Sequence, residues 1–162
     1  MSFARAVARV MLPVAIVLGV VLSNVAPAAA SSSPTSEYQK VFELAKTKLG
    51  DRWVHYAKGP DKFDCVGFVW YIFHENDLQS HIGGYRGVKA YYSWFKQRGL
   101  VSKDNPQPGD LVIWGRFQHV GMYVGDGMAI STLVAPYGVK IHPVKGWIST
   151  PFSYYLHTHL SN

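Results

Sequence analysis

The spacing of apolar positions after residue 35 predicts three helices. The first begins at Ser36, which has the spacing of a capping box with Gln39, and its apolar stripe stops before Gly50. A second helix is expected over residues 65 to about 75. The sequence there is apolar almost all round, so this helix should be buried centrally. A third helix is expected over residues 88 to about 97.

After the turn at residues 106–109, the hydrophobic period changes from that of a helix to that of a strand. The segment 51–63, by contrast, is expected to be a loop. Helices followed by hairpin-linked strands predict an α+β fold with an antiparallel sheet, in one domain that spans residues 37–162. Short segments separated by glycines predict the strands 111–114, 119–124, 128–132 and 139–142, and the aromatic stretch 147–160 adds one more.

One predicted hairpin, between the second and third of these strands, allows two registers. A two-residue loop would place Met122 opposite Ser131, which mixes a core position with a polar one. A three-residue loop instead pairs Met122 with Ile130 and Val124 with Met128, which gives two apolar pairs on one face. The apolar matching therefore favours the three-residue loop.

With this loop at residues 125–127, the other face of the hairpin carries polar side chains. Ser131 then lies diagonally across from His119, about 5–8 Å away. His142, on the following strand, is a second residue within reach of the same place. The register favours Ser131 as the neighbour of His119.

The first 30 residues have the composition of a signal peptide. Arg5 and Arg9 form a basic start, and a nonpolar run of 13 residues follows at 10–22. That run is shorter than the roughly 20 apolar residues of a membrane span. Residues 28–30 form a small-x-small cleavage site, and 31–36 form a polar linker. We therefore expect export and release without a stable membrane anchor, with an uncleaved N-terminal anchor as the alternative.

The composition of the chain indicates a globular protein with a positive net charge. Hydrophobic residues make up 48% and charged residues 16%, which is typical of a globular chain. Without residues 1–30, 14 basic and 10 acidic side chains leave a net charge of +4, which favours anionic polymers such as cell-wall glycans. Nucleic acid is not expected, because the sequence has no run of Lys and Arg, no zinc-finger spacing and no glycine-rich phosphate loop.

The sequence contains a single cysteine, Cys65, so it can form no internal disulfide. Cys65 lies at the predicted start of the second helix, where free backbone N–H groups and the helix dipole favour a thiolate. His119, at the start of a strand, can serve as its base. The plainer interpretation makes Cys65 a small buried hydrophobe and His119 a surface residue, and it is preferred for each residue taken alone.

Two regions of the sequence resemble motifs of the NlpC-type cysteine peptidases, the papain-like cell-wall hydrolases. Residues 63–68, Phe-Asp-Cys-Val-Gly-Phe, resemble the Asp-Cys-Ser-Gly nucleophile motif. Residues 108–112 and 119–125 resemble the Pro-Gly-Asp-Leu and His-Val-Gly-Ile-Tyr segments, in the right order. The resemblance implies a papain-like fold with Cys65 as nucleophile and His119 as general base, without a cofactor or metal.

The sequence departs from that family at several positions. The third catalytic residue, usually His and sometimes Asn or Gln, corresponds here to Ser131, whose hydroxyl is short and uncharged. The serine after the cysteine corresponds to Val66, and the tyrosine of the preceding loop corresponds to Trp53. In relatives these groups help the counterpart of Asp64 to hold the free amine of the substrate. As an alternative, Asp64 is only the N-cap of the helix.

Other candidates have weaker support. Arg86 lies in a stretch where relatives carry a cleft arginine, so the resemblance implies a substrate contact, although a solvated charge explains it equally well. His157 and His159 have a spacing that suits a metal ion, but no carboxylate or cysteine lies nearby in the sequence, so no metal site is expected. Among the tryptophans, Trp53 is the best candidate for the cleft.

The resemblance implies a secreted, monomeric peptidoglycan hydrolase. It would be a cysteine endopeptidase that cleaves stem peptides at the bond from a D-γ-glutamyl residue to a diamino acid. A catalytically impaired NlpC-type module that binds cell wall or peptide is one alternative, and an amidase or acyltransferase for another γ-glutamyl or acyl substrate is a second. Ser131 and Val66 favour the binding module, whereas the presence of both Cys65 and His119 argues against it.

Overall fold

Residues 35–147 and 149–162 are described by the computed structural model of the protein. The predicted signal peptide at 1–30 and the linker as far as residue 34 lie outside the described residues. In the part of the chain that is described, no helix is both long enough and apolar enough to cross a membrane.

Three helices form where the sequence predicts them. Helix α1 spans Glu37–Thr47, and the Ser36 hydroxyl accepts the backbone N–H of Gln39 at 3.1 Å while the Gln39 side chain accepts that of Ser36 at 3.2 Å. Helix α2 spans Cys65–His74 and helix α3 spans Val88–Lys96. The capping box and the helix positions are thus confirmed.

The segment 51–63, predicted as a loop, contains two short strands. Strands β1 (Arg52–Trp53) and β2 (Lys62–Phe63) pair in parallel as a sheet of their own. Strands of two residues have no periodicity that a pattern can reveal. Residue Val139 of the main sheet holds this segment in place, because its N–H donates to Asp51 O at 2.9 Å.

The second half of the chain forms a six-stranded antiparallel sheet. Its strands are β3 (Val101–Ser102), β4 (Leu111–Trp114), β5 (His119–Gly125), β6 (Met128–Leu133), β7 (Gly138–Pro143) and β8 (Phe152–Leu156). Their spatial order is β3–β8–β4–β5–β6–β7. Strands β4 to β7 match the predicted segments to within one residue at each end, β8 lies inside the predicted stretch 147–160, and only the two-residue β3 was not predicted. The α+β fold with an antiparallel sheet is therefore confirmed.

The hairpin between β5 and β6 has the predicted pairing in its middle but not at its turn. Met122 lies opposite Ile130, as predicted. The register then shifts, and Gly125 takes the place of Val124 opposite Met128. The predicted three-residue loop is therefore wrong, since the turn between the strands has two residues.

A bulge reconciles this tight turn with the inner pairing. The turn residues Asp126 and Gly127 have φ values of 49° and 72°, the positive values of a two-residue hairpin turn. Gly125, beside the register shift, has a φ of 101°, which glycine adopts readily. The register predicted from the sequence assumed that the two strands pair without a bulge, and it therefore missed the shift near the turn.

Helix α2 is the centre of the core, as its nearly uniform apolar sequence predicts. Its side chains without any exposed surface are Phe68, Val69, Ile72 and Phe73. They belong to one cluster with residues of α1, β5 and β6. Helix α2 packs closely against β5. This packing brings the start of α2, with Cys65, to the strand that begins with His119.

Candidate active site

Cys65 is the first residue of α2, and Asp64 caps the helix. One carboxylate oxygen of Asp64 accepts the N–H of Gly67 at 2.6 Å, and the other accepts the N–H of Tyr56 at 3.0 Å. The cap therefore fixes both the start of the helix and the loop before it. Because both oxygens bind backbone N–H groups and Asp64 is buried, the structure gives direct support to its role as N-cap.

The pKa of the Cys65 thiol is raised above its ordinary value of 9.0, first by burial and then by the charge of Asp64. The backbone N–H groups of Val120, Val66 and Cys65 itself act in the opposite direction and favour the thiolate, but more weakly. The helix start therefore favours the thiolate as expected, but burial outweighs it and favours the neutral thiol in the resting protein.

His119 is the first residue of β5, and its ring is neutral. Its Nε2 lies 2.9 Å from Oγ of Ser131, and its ring centroid lies 5.3 Å from that of buried Trp114. Burial, followed by the charge of nearby His142, lowers the pKa of His119 to about 4. Among the described residues, no carboxylate lies within ion-pair distance of this ring. The imidazole is thus unprotonated at neutral pH, the form that a general base requires.

Ser131 and His142 both lie on the same side of the sheet as His119. The diagonal contact of Ser131 with His119 that the register predicts is present. The Ser131 hydroxyl also lies 2.8 Å from Nε2 of His142 on β7. Of the two residues that the sequence offers as neighbours of His119, Ser131 contacts His119 directly, and His142 contacts Ser131 from the next strand.

Cys65 and His119 line the same cavity, which has a volume of about 550 Å³. Trp53 lines it too, as expected. The exposed rings of Tyr137 and Trp147 line it as well. The sequence analysis missed them because both lie in loops, where no hydrophobic periodicity shows which way a side chain points. The polar residues that line the cavity carry hydroxyl or amide groups. Apart from His119, none of the described residues that line it has an acidic or basic side chain.

Two residues that the resemblance placed in the substrate site have other surroundings. The side chain of Val66 belongs to the core and does not line the cavity of Cys65. Arg86 lines a separate cavity on α3, with its guanidinium 5.6 Å from the ring centroid of Trp94. The packing of α2 and the stacking on Trp94 account for these positions, so the structure does not support substrate contacts through either side chain.

The pair His157 and His159 does not form a metal site. Nδ1 of His157 lies 2.7 Å from a carboxylate oxygen of Asp110, and its Nε2 lies 2.8 Å from Oγ of Ser102. Both ring nitrogens of His157 are therefore engaged. Within residues 35–147 and 149–162, no three His, Cys, Asp or Glu side chains are grouped so that they could hold a metal ion.

These parts define the class of the fold. A helix that begins at a cysteine packs on an antiparallel sheet, and a histidine begins the strand next to it, which is the papain-like α+β arrangement. Within that class, residues 50–156 match the sequence profile of the NlpC/P60 family. The chain belongs to this family, as the motifs around Cys65 and His119 predicted.

Comparison with known proteins supports the same family. The chain is 30% identical over 119 residues to "Probable endopeptidase p60" of Listeria grayi, covering 72% of this chain and 22% of the relative. It is 29% identical over 107 residues to "Probable peptidoglycan endopeptidase LytE" of Bacillus subtilis, covering 58% and 29%. The solved structure of NlpC2 from Trichomonas vaginalis has a TM-score of 0.62 and 26% identity, covering 82% and 49%. The chain thus spans less than half of each of these proteins.

Proposed function

We propose that this protein is a cysteine endopeptidase that hydrolyses the stem peptides of peptidoglycan. The observation that carries the proposal is the meeting of Cys65 and His119 at one cavity, with Ser131 on the Nε2 side of the imidazole. The names of the relatives in Listeria grayi and Bacillus subtilis supply the reaction class and the substrate. The bond between a D-γ-glutamyl residue and a diamino acid is the proposed point of cleavage.

In the first half of the reaction, His119 acts as a general base. Nδ1, the nitrogen that does not face Ser131, takes the proton from the Cys65 thiol, and the sulfur attacks the carbonyl carbon of the scissile amide. The first helical N–H groups of α2, those of Cys65 and Val66, have no acceptor within the helix and can donate to the developing oxyanion. His119 then gives the proton to the leaving amine, and an acyl-enzyme thioester remains.

The second half of the reaction reverses these roles. His119 takes a proton from water, the hydroxide oxygen attacks the thioester carbonyl, and the carboxylic acid product leaves as the thiol is protonated again. The scissile amide itself is uncharged, and the rings of Trp53, Tyr137 and Trp147 give the cavity apolar walls beside it. Residues 1–30, read as a signal peptide, would carry the protein to the cell wall or beyond it.

The test is incubation of the purified protein with isolated muropeptides and identification of the products by mass spectrometry. We expect new fragments that end at the γ-glutamyl residue, and their complete loss in Cys65→Ala and His119→Ala. His74→Ala, which changes an exposed histidine at the other end of α2, is the matched control and should cleave normally.

Two outcomes would overturn the proposal. Cleavage by Cys65→Ala at the rate of the unchanged protein would exclude the thiol as nucleophile. Binding of muropeptides without any cleavage would favour the impaired wall-binding module instead.

A further inference from the structure

Three polar side chains cross the neighbouring strands β5, β6 and β7 in one line. Nε2 of His119 lies 2.9 Å from Oγ of Ser131, and the same Oγ lies 2.8 Å from Nε2 of His142. Ser131 pairs with Lys140, so His142, two residues further along β7, is its diagonal neighbour on the same face. Ser131 and His142 have almost no exposed surface. The line is therefore closed to water at its inner end.

The direction of the hydrogen bonds in this line follows from its inner end. Nδ1 of His142 lies 2.9 Å from the carbonyl oxygen of Pro143, which can only accept, so Nδ1 carries the hydrogen. In the buried, neutral ring, Nε2 then has a lone pair, and the Ser131 hydroxyl donates to it. The remaining contact of Ser131 is with His119, and Oγ must accept there, so Nε2 of His119 carries a hydrogen.

This direction matters because a serine by itself does not select a tautomer. A hydroxyl that is free to rotate can accept from Nε2 of His119 or donate to it. Donation would leave the ring hydrogen on Nδ1, and His119 could then not take the proton of Cys65. With His142 as acceptor, the hydroxyl hydrogen points away from His119, and Nδ1 keeps its lone pair.

Aromatic rings hold the two imidazoles in this arrangement. Trp114 lies with its ring centroid 5.3 Å from that of His119 and 5.6 Å from that of His142. Its Nε1 donates to Val144 O at 2.7 Å, which fixes the indole. On the other side, Trp147 stacks on His142 at 5.0 Å with 21° between the planes. The orientation of His142 is thus restricted by contacts with two tryptophan rings.

We propose that His142 is a positioning residue for His119 and acts through Ser131, so that a serine and a histidine together fill the role of the family's single third residue. The proposal rests on the proposed function, in which Cys65 and His119 carry out the reaction. Within the line, His142 fixes the Ser131 hydroxyl, and Ser131 fixes the tautomer of His119.

The direct test is nuclear magnetic resonance of the full-length protein with isotope-labelled histidine. We expect His119 to carry its hydrogen on Nε2. His142→Phe keeps a ring against Trp114 and Trp147 but removes the acceptor, so a large share of His119 should move to the Nδ1–H tautomer. His142→Gln offers an amide oxygen in the same direction and should restore Nε2–H.

Kinetics with muropeptides test whether the two positions act in series. His142→Phe should lower kcat roughly tenfold, which corresponds to about 1.4 kcal/mol, while KM changes by less than about twofold. Ser131→Ala should have a similar effect. Because the residues act in series, the double variant Ser131→Ala with His142→Phe should be no slower than Ser131→Ala alone. His142→Gln should retain most of the activity.

The results that would overturn the inference are separate from those that bear on the reaction itself. An unchanged His119 tautomer in both His142→Phe and Ser131→Ala would refute it, as would losses that multiply in the double variant. If His142→Phe does not fold, His142→Leu, which also removes the acceptor, takes its place, and a hydrogen on Nδ1 of His119 in the unchanged protein would by itself refute the inference. A protein that cleaves no muropeptide would refute the proposed function, while the tautomer measurement would still decide the role of His142.

Discussion

The state of the Cys65–His119 pair before substrate binds is determined by what surrounds each group. His119 contacts a neutral hydroxyl and an indole, and within the described part of the chain no carboxylate lies close enough to stabilise an imidazolium. Cys65 is half-buried, and both this burial and the neighbouring carboxylate of Asp64 disfavour a thiolate. Both effects favour the neutral thiol and the neutral imidazole over an ion pair. Proton transfer therefore accompanies attack on the substrate in the proposed reaction.

Alkylation of Cys65 by iodoacetamide gives a test of this neutral pair. Because iodoacetamide reacts with the thiolate, its rate should keep rising with pH and reach half its maximum above the ordinary thiol value of 9.0. His119→Gln should leave this profile nearly unchanged, since the neutral ring does not stabilise the thiolate. As the sequence has one cysteine, loss of free thiol measures the reaction directly, and Cys65→Ser is the blank. A rate that is already constant below pH 7 would show an ion pair instead.

Single residues differ in how far the sequence could predict their place. Cys65 and Asp64 were predictable because a helix start is a local feature. The direction of the Val66 and Arg86 side chains was not, because it depends on how α2 packs in the core and on the ring of Trp94. The contact of Ser131 with His142 also required the register of a third strand, which the sequence left open.

Among the secondary-structure elements, those with local signals were predicted best. The capping box at Ser36 and the nearly uniform apolar sequence of α2 locate the first two helices within a residue or two. The parallel pair β1–β2 and the strand β3 have two residues each, and only distant partners define them. The bulge at Gly125 depends on a positive φ, which the alternation of apolar residues along a strand does not predict.

Close contact between β5 and β6 predicts a severe effect of Gly121→Ala. A Cβ at residue 121 would lie 2.6 Å from Cβ of Ser131 and 2.7 Å from Ile130 O, so the strands would have to separate. We expect a loss of about 1–3 kcal/mol in the free energy of unfolding in urea, together with a fall in kcat, because Ser131 would move. Gly87→Ala is the matched control.

Gly87, the N-cap of α3, has an ordinary φ of −68° and open space around a Cβ, so its variant should lose less than about 1 kcal/mol and keep its activity. Equal effects of Gly121→Ala and Gly87→Ala would contradict the tight spacing of these strands.

At the scale of the whole molecule, the end of the chain is held by a buried carboxylate. One oxygen of Asp110 accepts the N–H of Thr158 at 2.9 Å, and the other accepts the N–H of Gln107 at 2.8 Å and binds His157 at 2.7 Å. This network attaches the residues after β8 to the turn before β4. It lies apart from the residues that line the cavity of Cys65.

Asp110→Ala should therefore destabilise the protein without changing its chemistry. The variant leaves buried donors without an acceptor, and we expect a loss of about 2–4 kcal/mol in the free energy of unfolding, measured in urea. Activity per folded molecule should persist. Asp104→Ala removes an exposed carboxylate six residues earlier and should change stability by less than about 0.5 kcal/mol. A loss no greater than that of Asp104→Ala would show that the network contributes little.

The pH dependence of stability combines several buried groups that are neutral in the folded protein. His119 and His142 have lowered pKa values, that of His119 about 4, so the unfolded chain binds protons that the folded protein does not as pH falls below about 6.5. Stability is therefore lost between about pH 6.5 and 4. Burial raises the pKa of Cys65 and of Tyr91, so the unfolded chain releases protons first at high pH, and stability is lost again above about pH 9.

Urea unfolding at a series of pH values should accordingly give a maximum of stability between about pH 6.5 and 9. His119→Gln removes one of the buried imidazoles and should make the decline below pH 6.5 less steep, while it leaves the decline above pH 9 in place. Cys65→Ser should do the reverse, because a serine hydroxyl does not ionise in this range. An acid decline that is equally steep with and without the His119 imidazole would contradict its burial in the neutral form, and with it the protonation state from which the proposed reaction starts.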